Sequence, residues 1–323
     1  MDRRFFLLSG AVVASLPCRA WAASGYPDQT ITYIVPVAPG GGSDFVGRAV
    51  TTAWSKVLGA TFIVENQAGG GGVIACQKTM HARPDGYTLM QGYVATLATS
   101  PATRVVSYDP VRDFTPIGMI GGTPNVLVVN AKLPVHDLKE FIAYAQSTGN
   151  VNYGSAGAGS LTHMLMELLQ QRVATKMLHV PYKGIAPAFT DLLAQQTQAM
   201  FPGLAAAVPH LHANTVRALA LTGERRNPNF PDVPTFKELG IDGFSDVLQW
   251  YGVSGPAGMP DVIVQTLNQS LNQVIAQPEL VKQLSVEAID PLPMTPAQFA
   301  AYAKRDYQRW AKLAKEKNIH LDA

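Results

Sequence analysis

The sequence predicts an α/β protein of two domains, and three observations support this. Its 323 residues allow two domains of ordinary size. From residue 31 to residue 93, short apolar runs alternate with helical apolar spacing, which is typical of a parallel sheet covered by helices. A strand, a glycine-rich turn and a helix follow one another near residue 40, and the same pattern returns near residue 157.

The first of these units begins with an apolar, β-branched run at 31–37, which predicts a buried strand. Pro39 and the three glycines at 40–42 end the run, and a helical apolar stripe starts at Val46. We expect Ser43 to be the N-cap of that helix. Free amide groups and the positive end of the helix dipole would then face one point, which favours an anion site. The alternative is a tight strand-to-helix turn in which the glycines only avoid steric clashes and bind no ligand.

Two more strands are predicted at 61–65 and 87–91, with a helix at 73–80 between them and four consecutive glycines before that helix. Ligands of open α/β sheets bind outside the carboxyl ends of the strands. Asn66 and Tyr93 follow two of these strands, so each is a candidate for ligand contact.

The second unit follows a fresh strand at 126–130, where we place a domain crossing. A strand at 150–153 leads into the turn Gly154-Ser155-Ala156-Gly157-Ala158-Gly159-Ser160. Ser160 is the expected N-cap of the next helix, and His163 lies in its first turn. The turn lacks the Gly-Lys-Ser/Thr of a phosphate loop, and no acidic residue follows at the spacing of a dinucleotide site.

The remaining pattern predicts a return to the first sheet and a helical end. A strand and a turn are expected at 179–184, a helix at 185–195, and strands at 198–201 and 217–222. A return crossing at 224–228 is followed by a strand of the first sheet at 250–254 and by helices at 261–276 and from 295. Thr295 and Gln298 form a capping box at the start of the last helix, with Pro296 at its first position.

The amino terminus has the pattern of a secretory signal peptide at 1–22. Two arginines precede a short apolar run, and Ala20-Trp21-Ala22 is a cleavage signal. The run is too short for a permanent membrane span. We therefore expect an exported, soluble, periplasmic protein cleaved near Ala22, by a Sec or a twin-arginine route, with Cys76 as its only remaining cysteine.

Composition and motifs argue against several classes of function. A net charge of +2 with 15% charged residues makes nucleic acid a poor partner. The histidines and cysteines show no metal-ligand spacing, and no nucleophile elbow is present. We therefore predict no catalytic residues, no metal and no cofactor. An exported enzyme, and a sensor that docks on a membrane receptor, stay open as alternatives to a binding protein.

Nearly the whole mature chain resembles the substrate-binding proteins of tripartite tricarboxylate transporters, the Bordetella uptake gene or TctC-like family. The matching stretches are IVPVAPGGGSD (34–44), VENQAGGGG (64–72), PDGYTLM (84–90), YDPVRDFTPIG (108–118), NYGSAGAGSLTH (152–163), HVPYKG (179–184), RALALT (217–222), PDVPTFKELG (231–240) and GPAGMP (255–260). So many blocks in one order are highly specific.

This resemblance implies a type II-like periplasmic-binding fold with two crossover segments and a ligand cleft between the lobes. One domain would comprise 27–124 and 224–323, and the other 125–223. The implied ligand is a small organic carboxylate: a dicarboxylate, a tricarboxylate, an amino acid or an aromatic acid. The implied partners are integral membrane transporter subunits, and the protein itself is expected to be a monomer.

In the family, ligand carboxylates are held by backbone amides, hydroxyls and water from loops that match 39–44 and 155–160. At one wall this chain departs from the family: Gln198 stands near a family acidic position, and Pro202-Gly203 replaces an Asp-Asn pair. Asp44 and His163 each have a structural alternative, as a helix cap and as a buried hydrogen-bonding group. The expected ligand-binding residues are Pro39, Gly40, Gly41, Gly42, Ser43, Asp44, Asn66, Tyr93, Ser155, Ala156, Gly157, Ala158, Gly159, Ser160, His163 and Pro202.

Overall fold

The computed structural model describes residues 25–40 and 42–321. The predicted signal peptide and its cleavage site lie outside these residues, as does Gly41 of the predicted site. No helix in the described part of the chain is both long enough and apolar enough to cross a membrane.

The described residues form two sheets covered by helices. The strands are β1 Ile31–Val35, β2 Phe62–Asn66, β3 Thr88–Tyr93, β4 Phe114–Thr123, β5 Val126–Asn130, β6 Asn152–Ser155, β7 Leu178–Pro181, β8 Ala199–Met200, β9 Val216–Leu221, β10 Gln249–Pro256 and β11 Asp290–Pro291. The helices are α1 Gly42–Leu58, α2 Val73–Met80, α3 Ser100–Thr103, α4 Leu138–Thr148, α5 Leu161–Val173, α6 Ile185–Leu193, α7 Leu204–His212, α8 Asp261–Ile275, α9 Pro278–Leu284 and α10 Pro296–Glu316.

The first sheet has the order β11-β4-β10-β3-β1-β2, and the second has the order β7-β6-β8-β5-β9. Strands β1, β2 and β3 are parallel, so their carboxyl ends meet at one edge. Strand β6 is parallel to both of its neighbours in the second sheet. Each sheet with its helices forms one lobe, which is the two-lobed architecture that the resemblance implies.

The chain crosses between the lobes twice. It leaves β4 at Thr123 and enters β5 at Val126, and it returns to the first sheet only at β10. The two crossings are hydrogen-bonded to each other: the Asn125 N–H donates to Thr222 Oγ1 at 2.8 Å, and the Thr222 N–H donates to the Asn125 carbonyl at 2.9 Å.

The return crossing is longer than the sequence predicts. Residues 222–248 contain no helix or strand, and part of this segment packs back on the second sheet. Phe236 and Phe244 stack on each other, and each stacks on Phe201 beside β8. The expected crossing at 224–228 is therefore followed by further contact with the second lobe.

Two buried clusters cover the faces of the first sheet. On one face Trp54 of α1 donates its indole N–H to Ser270 Oγ of α8 at 2.8 Å. On the other face Phe299 and Trp310 of α10 join a cluster that continues into the second lobe through Leu127 and Tyr153. The lobes thus share an apolar core on the α10 side.

Local sequence signals located most elements well. Helix α2 and strand β5 have the predicted bounds, and the capping box of Thr295 and Gln298 is present. The sequence analysis missed α3, α7 and α9. Helix α7 contains Pro209 and begins with a run of alanines after Leu204, so it shows little amphipathic contrast.

We predict that Gly252→Ala destabilises the first lobe by about 1–3 kcal/mol through overpacking. Gly252 lies in β10, and a Cβ there would stand 2.3 Å from Phe299 Cζ of α10. Urea unfolding of the variant should show a lower midpoint than the wild type.

The control is Phe299→Leu, alone and in the Gly252→Ala background. The smaller side chain vacates the position that the new methyl group needs, so the double variant should lose less than the sum of the two single losses. Strict additivity would contradict the proposed clash.

Candidate ligand-binding cleft

The loop that follows β1 ends in the first turn of α1, which begins at Gly42. Ser43 is therefore inside the helix, and its predicted role as the N-cap is wrong. Its hydroxyl and its carbonyl instead accept hydrogen bonds from the buried Gln91 side chain, at 2.7 and 2.8 Å. Gln91 lies in β3, which pairs directly with β1, so sheet order places it under the loop.

Asp44 is buried at the centre of a polar cluster on the same loop. Its carboxylate accepts from the Gly40 N–H at 3.0 Å, from Arg48 Nε at 3.0 Å and from Asn66 Nδ2 at 2.8 Å. Burial acts to raise the pKa of Asp44, but these hydrogen bonds outweigh it and hold the pKa below its ordinary value. Asp44 therefore has a structural role, but not that of the helix cap considered above, because it lies inside α1 and accepts from the preceding loop and from side chains.

Two other predicted site residues, Gly40 and Asn66, form hydrogen bonds within the same cluster. The N–H of Gly40 is used by Asp44, and Asn66 also donates to the Val37 carbonyl at 3.1 Å and accepts from Arg48 at 2.8 Å. The expectation of a free amide at Gly40 is wrong, because Asp44 on α1 supplies an acceptor for it.

The second glycine-rich loop joins β6 to α5, and Ser160 is the N-cap of α5 as predicted. The expectation of free amides is wrong for most of this loop too. Loop N–H groups donate to neighbouring side chains, from Ala156 to Thr162 Oγ1 at 2.8 Å, from Gly157 to Ser155 Oγ at 3.1 Å and from Gly159 to His163 Nδ1 at 3.1 Å. The Ser160 N–H donates to the Gly157 carbonyl. Within the described ranges the Ala158 N–H has no acceptor.

A pair of stacked histidines packs against this loop and forms hydrogen bonds with it. The rings of His163 and His179 lie 3.8 Å apart, nearly parallel, and His179 Nε2 is 2.7 Å from Ser155 Oγ. Burial lowers the pKa of His163; burial and the neighbouring His163 lower the pKa of His179 to about 3. Both rings are therefore neutral near pH 7, which matches the buried hydrogen-bonding role considered for His163.

Two carboxylates lie close to these polar groups. Glu167 accepts from the Tyr153 hydroxyl at 2.7 Å, and its carboxylate is 3.9 Å from His163 Nε2. At the first loop, Glu287 Oε2 lies 3.0 Å from the place that a Cβ on Gly42 would take. The first loop therefore already has a negative neighbour.

Aromatic and amide side chains form the wall near the crossings. The rings of Tyr93 and Tyr251 stack with centroids 6.4 Å apart, and Gln249 Nε2 donates to the Tyr251 hydroxyl at 3.0 Å. Burial raises the pKa of Tyr251 to about 12, and the charge of Glu287 adds to this shift. Pro202 is buried, and its carbonyl accepts from the Val126 N–H. The next residue, Gly203, lies against Gln249: a Cβ there would be 3.0 Å from Gln249 Oε1.

The two lobes meet where the second loop reaches α3. A Cβ on Gly159 would lie 2.5 Å from Thr103 Oγ1, so only a glycine fits this contact without a shift of the backbone or side chain. Next to it, Arg104 Nη2 donates to the Ala158 carbonyl at 3.5 Å.

Comparison with known proteins decides the family. Residues 46–319 match the model of the tripartite tricarboxylate transporter family receptor. The chain belongs to this receptor family. It is 33% identical to protein BugT of Bordetella pertussis over 303 residues, covering 93% of each chain.

Several solved structures are similar to this chain in both sequence and fold. MatC of Rhodopseudomonas palustris, with bound malate, is 32% identical with a TM-score of 0.76, covering 89% of this chain and 99% of that one. A second R. palustris protein, with adipate, is 30% identical with a TM-score of 0.80, covering 92% of this chain and 100% of that one. The periplasmic binding protein BugD is also similar in structure, with 30% identity and a TM-score of 0.77, covering 92% of this chain and 100% of that one.

The structure of this receptor brings the predicted residues together as two separate sets. In the first set, Pro39 and Gly40 follow β1, Gly42 to Asp44 begin α1, and Asn66 and Tyr93 end β2 and β3. In the second set, Ser155 ends β6, residues 156–160 join it to α5, His163 lies in the first turn of α5, and Pro202 follows β8. Sequence reasoning missed Gln91, Arg104, His179 and Glu287, which contact these sets. A polar residue inside an apolar strand was the available signal for Gln91, whereas no local pattern marks Glu287.

The histidine pair predicts a pH dependence of stability. Because the pKa of His179 is lower in the folded protein than in the unfolded chain, the unfolded chain binds more protons below about pH 6.5. The free energy of unfolding should therefore fall as the pH falls from 6.5 towards 3. We predict that His179→Gln, which keeps a polar group for Ser155, flattens this slope in urea titrations.

The matched control is His136→Gln, which removes an exposed histidine outside the cleft. This variant should keep the wild-type slope. An equally steep loss of stability in the wild type and in His179→Gln would show that the histidine pair does not set it.

Proposed function

We propose that this receptor is an extracytoplasmic solute-binding protein that captures a small carboxylate-bearing solute between its lobes and delivers it to a tripartite tricarboxylate-type membrane transporter. We further propose that it is exported by the signal peptide at 1–22, acts as a monomer and has no catalytic activity. Its lobes would be the two proposed domains, 27–124 with 224–323, and 125–223.

The observation that carries the proposal is the placement of two strand–glycine loop–helix units on two separate sheets that touch across the cleft. A solute between the loop of Gly40 and the loop of Ala158 would contact both lobes. The two solved relatives with malate and adipate support a carboxylate as that solute.

The internal hydrogen bonds of the two loops refine how such a solute would be held. Since the loops satisfy most of their own amides, their backbone is already ordered before a ligand arrives. Little conformational entropy is then lost on binding, and affinity depends on the few donors left over. Ala158 is one of these donors, and bridging water would complete the set.

We predict that a panel of malate, adipate, citrate, aspartate and benzoate contains ligands that stabilise the purified protein. A ligand at 100 times its Kd should add about 2.7 kcal/mol to the free energy of unfolding. Thermal shift measures this gain, and mass spectrometry of material released from the purified protein identifies a co-purified solute.

Neutral sugars and polyamines serve as controls in the same screen. Stabilisation by these compounds alone would contradict a carboxylate ligand. Turnover of a bound compound would favour the alternative of an exported enzyme. Retention on membranes that contain a receptor kinase, but not on membranes with the transporter subunits, would favour a sensor component.

We also predict that Gly159→Val removes ligand binding while the first lobe stays folded. Gly159 has a φ of +73°, and its Cβ position is blocked by Thr103, so valine would strain the loop and push the lobes apart. The matched control is Gly149→Val: Gly149 also has a positive φ, of +59°, but has open space around its Cβ position and lies outside the cleft.

Calorimetry measures binding, and circular dichroism checks the fold of both variants. In the wild type, small-angle scattering should show a smaller radius of gyration at saturating ligand, because ligand favours the closed arrangement of the lobes. An unchanged radius with binding confirmed separately would contradict a closing cleft.

A further inference from the structure

Arg104 lies between the two glycine-rich segments of the cleft. It follows α3 in extended conformation, and its backbone forms a bridge with Leu321 that anchors the main chain. On the first-lobe side, its Nη1 is 3.6 Å from the place that a Cβ on Gly71 would take. On the second-lobe side, its Nη2 donates to the Ala158 carbonyl at 3.5 Å.

The guanidinium of Arg104 has N–H groups that are not fully hydrogen-bonded. Its contact with Ala158 is long for a hydrogen bond, and Nε is buried with no partner among the residues that the structure describes. A buried donor of a charged group without a partner is costly. A carboxylate that enters the cleft would supply the missing acceptor.

The other charged groups near the loops make Arg104 the better anchor for an anion. Arg48 is committed to Asp44 and Asn66. Glu287 lies beside Gly42 and gives the first loop a negative neighbour. Glu167, near the second loop, is offset by Lys317, whose Nζ lies 3.7 Å from its carboxylate. An anionic group is therefore favoured on the side of the cleft where Arg104 stands.

We propose that Arg104 binds a carboxylate group of the solute, between the four-glycine turn of the first lobe and the Ala158 loop of the second. This inference rests on the proposed function and adds a specificity-determining cation to it. The planar guanidinium matches the two oxygens of a carboxylate, whereas lysine presents a single point charge. Because the residue reaches both lobes, the same contact would also hold the cleft closed.

The test compares Arg104→Gln, Arg104→Lys and the wild type in calorimetry with malate, adipate, citrate, aspartate and benzoate. Arg104→Gln should bind at least tenfold more weakly, and Arg104→Lys should lie between Arg104→Gln and the wild type. Arg83→Gln is the matched control, because the side chain of Arg83 is 86% exposed on the surface. It should bind as the wild type does.

Salt dependence separates a ligand contact from a structural role. Weaker binding with rising salt is expected for the wild type, and this slope should be shallower for Arg104→Gln because one charge contact is lost. Melting temperatures without ligand show whether each variant is folded; if Arg104→Gln does not fold, Arg104→Lys carries the same comparison.

Two results would overturn the inference, and they differ in what they say of the proposed function. A folded Arg104→Gln that binds a carboxylate as tightly as the wild type, with the same salt slope, rejects Arg104 alone. A wild type that binds none of the five carboxylates rejects the proposed function together with the role of Arg104.

Discussion

The return of the chain into the middle of the first sheet is the constraint on which the rest of the structure depends. Strand β10 lies between β3 and β4, although it follows all the strands of the second sheet in the sequence. The first sheet is therefore continuous only when the chain has returned from the second lobe. Helix α10 holds this strand in place. Phe299 fills the space left by Gly252, and Trp250 donates its indole N–H to the buried Asp306 at 2.8 Å. The two crossings are thereby kept side by side.

Side chains of the following helices hold the glycine-rich backbone of both cleft loops in place. Asp44 takes the Gly40 amide, and His163 takes the Gly159 amide. Each acceptor lies on the helix that follows its loop, so folding of the helix orders the loop as well. Such preorganisation reduces the entropy lost on binding, but it leaves fewer backbone donors for an anion than a glycine-rich sequence suggests.

Charge is distributed unevenly across the cleft. Glu287 stands at the amino end of α1, where the helix dipole favours negative charge, and Arg104 stands beside the second loop. The stacked pair of His163 and His179 is neutral near pH 7 and adds no charge of its own. In the proposed binding mode, recognition of an acid would depend on Glu287 and Arg104 as well as on backbone amides.

The sequence alone determined the local units and the family. Apolar spacing predicted the strands and helices, and Ser160 and the pair of Thr295 and Gln298 predicted helix starts, because caps act within one turn of the chain. Which distant side chains form hydrogen bonds with the cleft loops was decided only by the tertiary structure. Gln91 reaches Ser43 because β3 lies next to β1, and Arg104 reaches Ala158 because the two lobes meet at α3. These contacts join residues 48 and 54 positions apart, and only the order of strands in the two sheets brings such residues together.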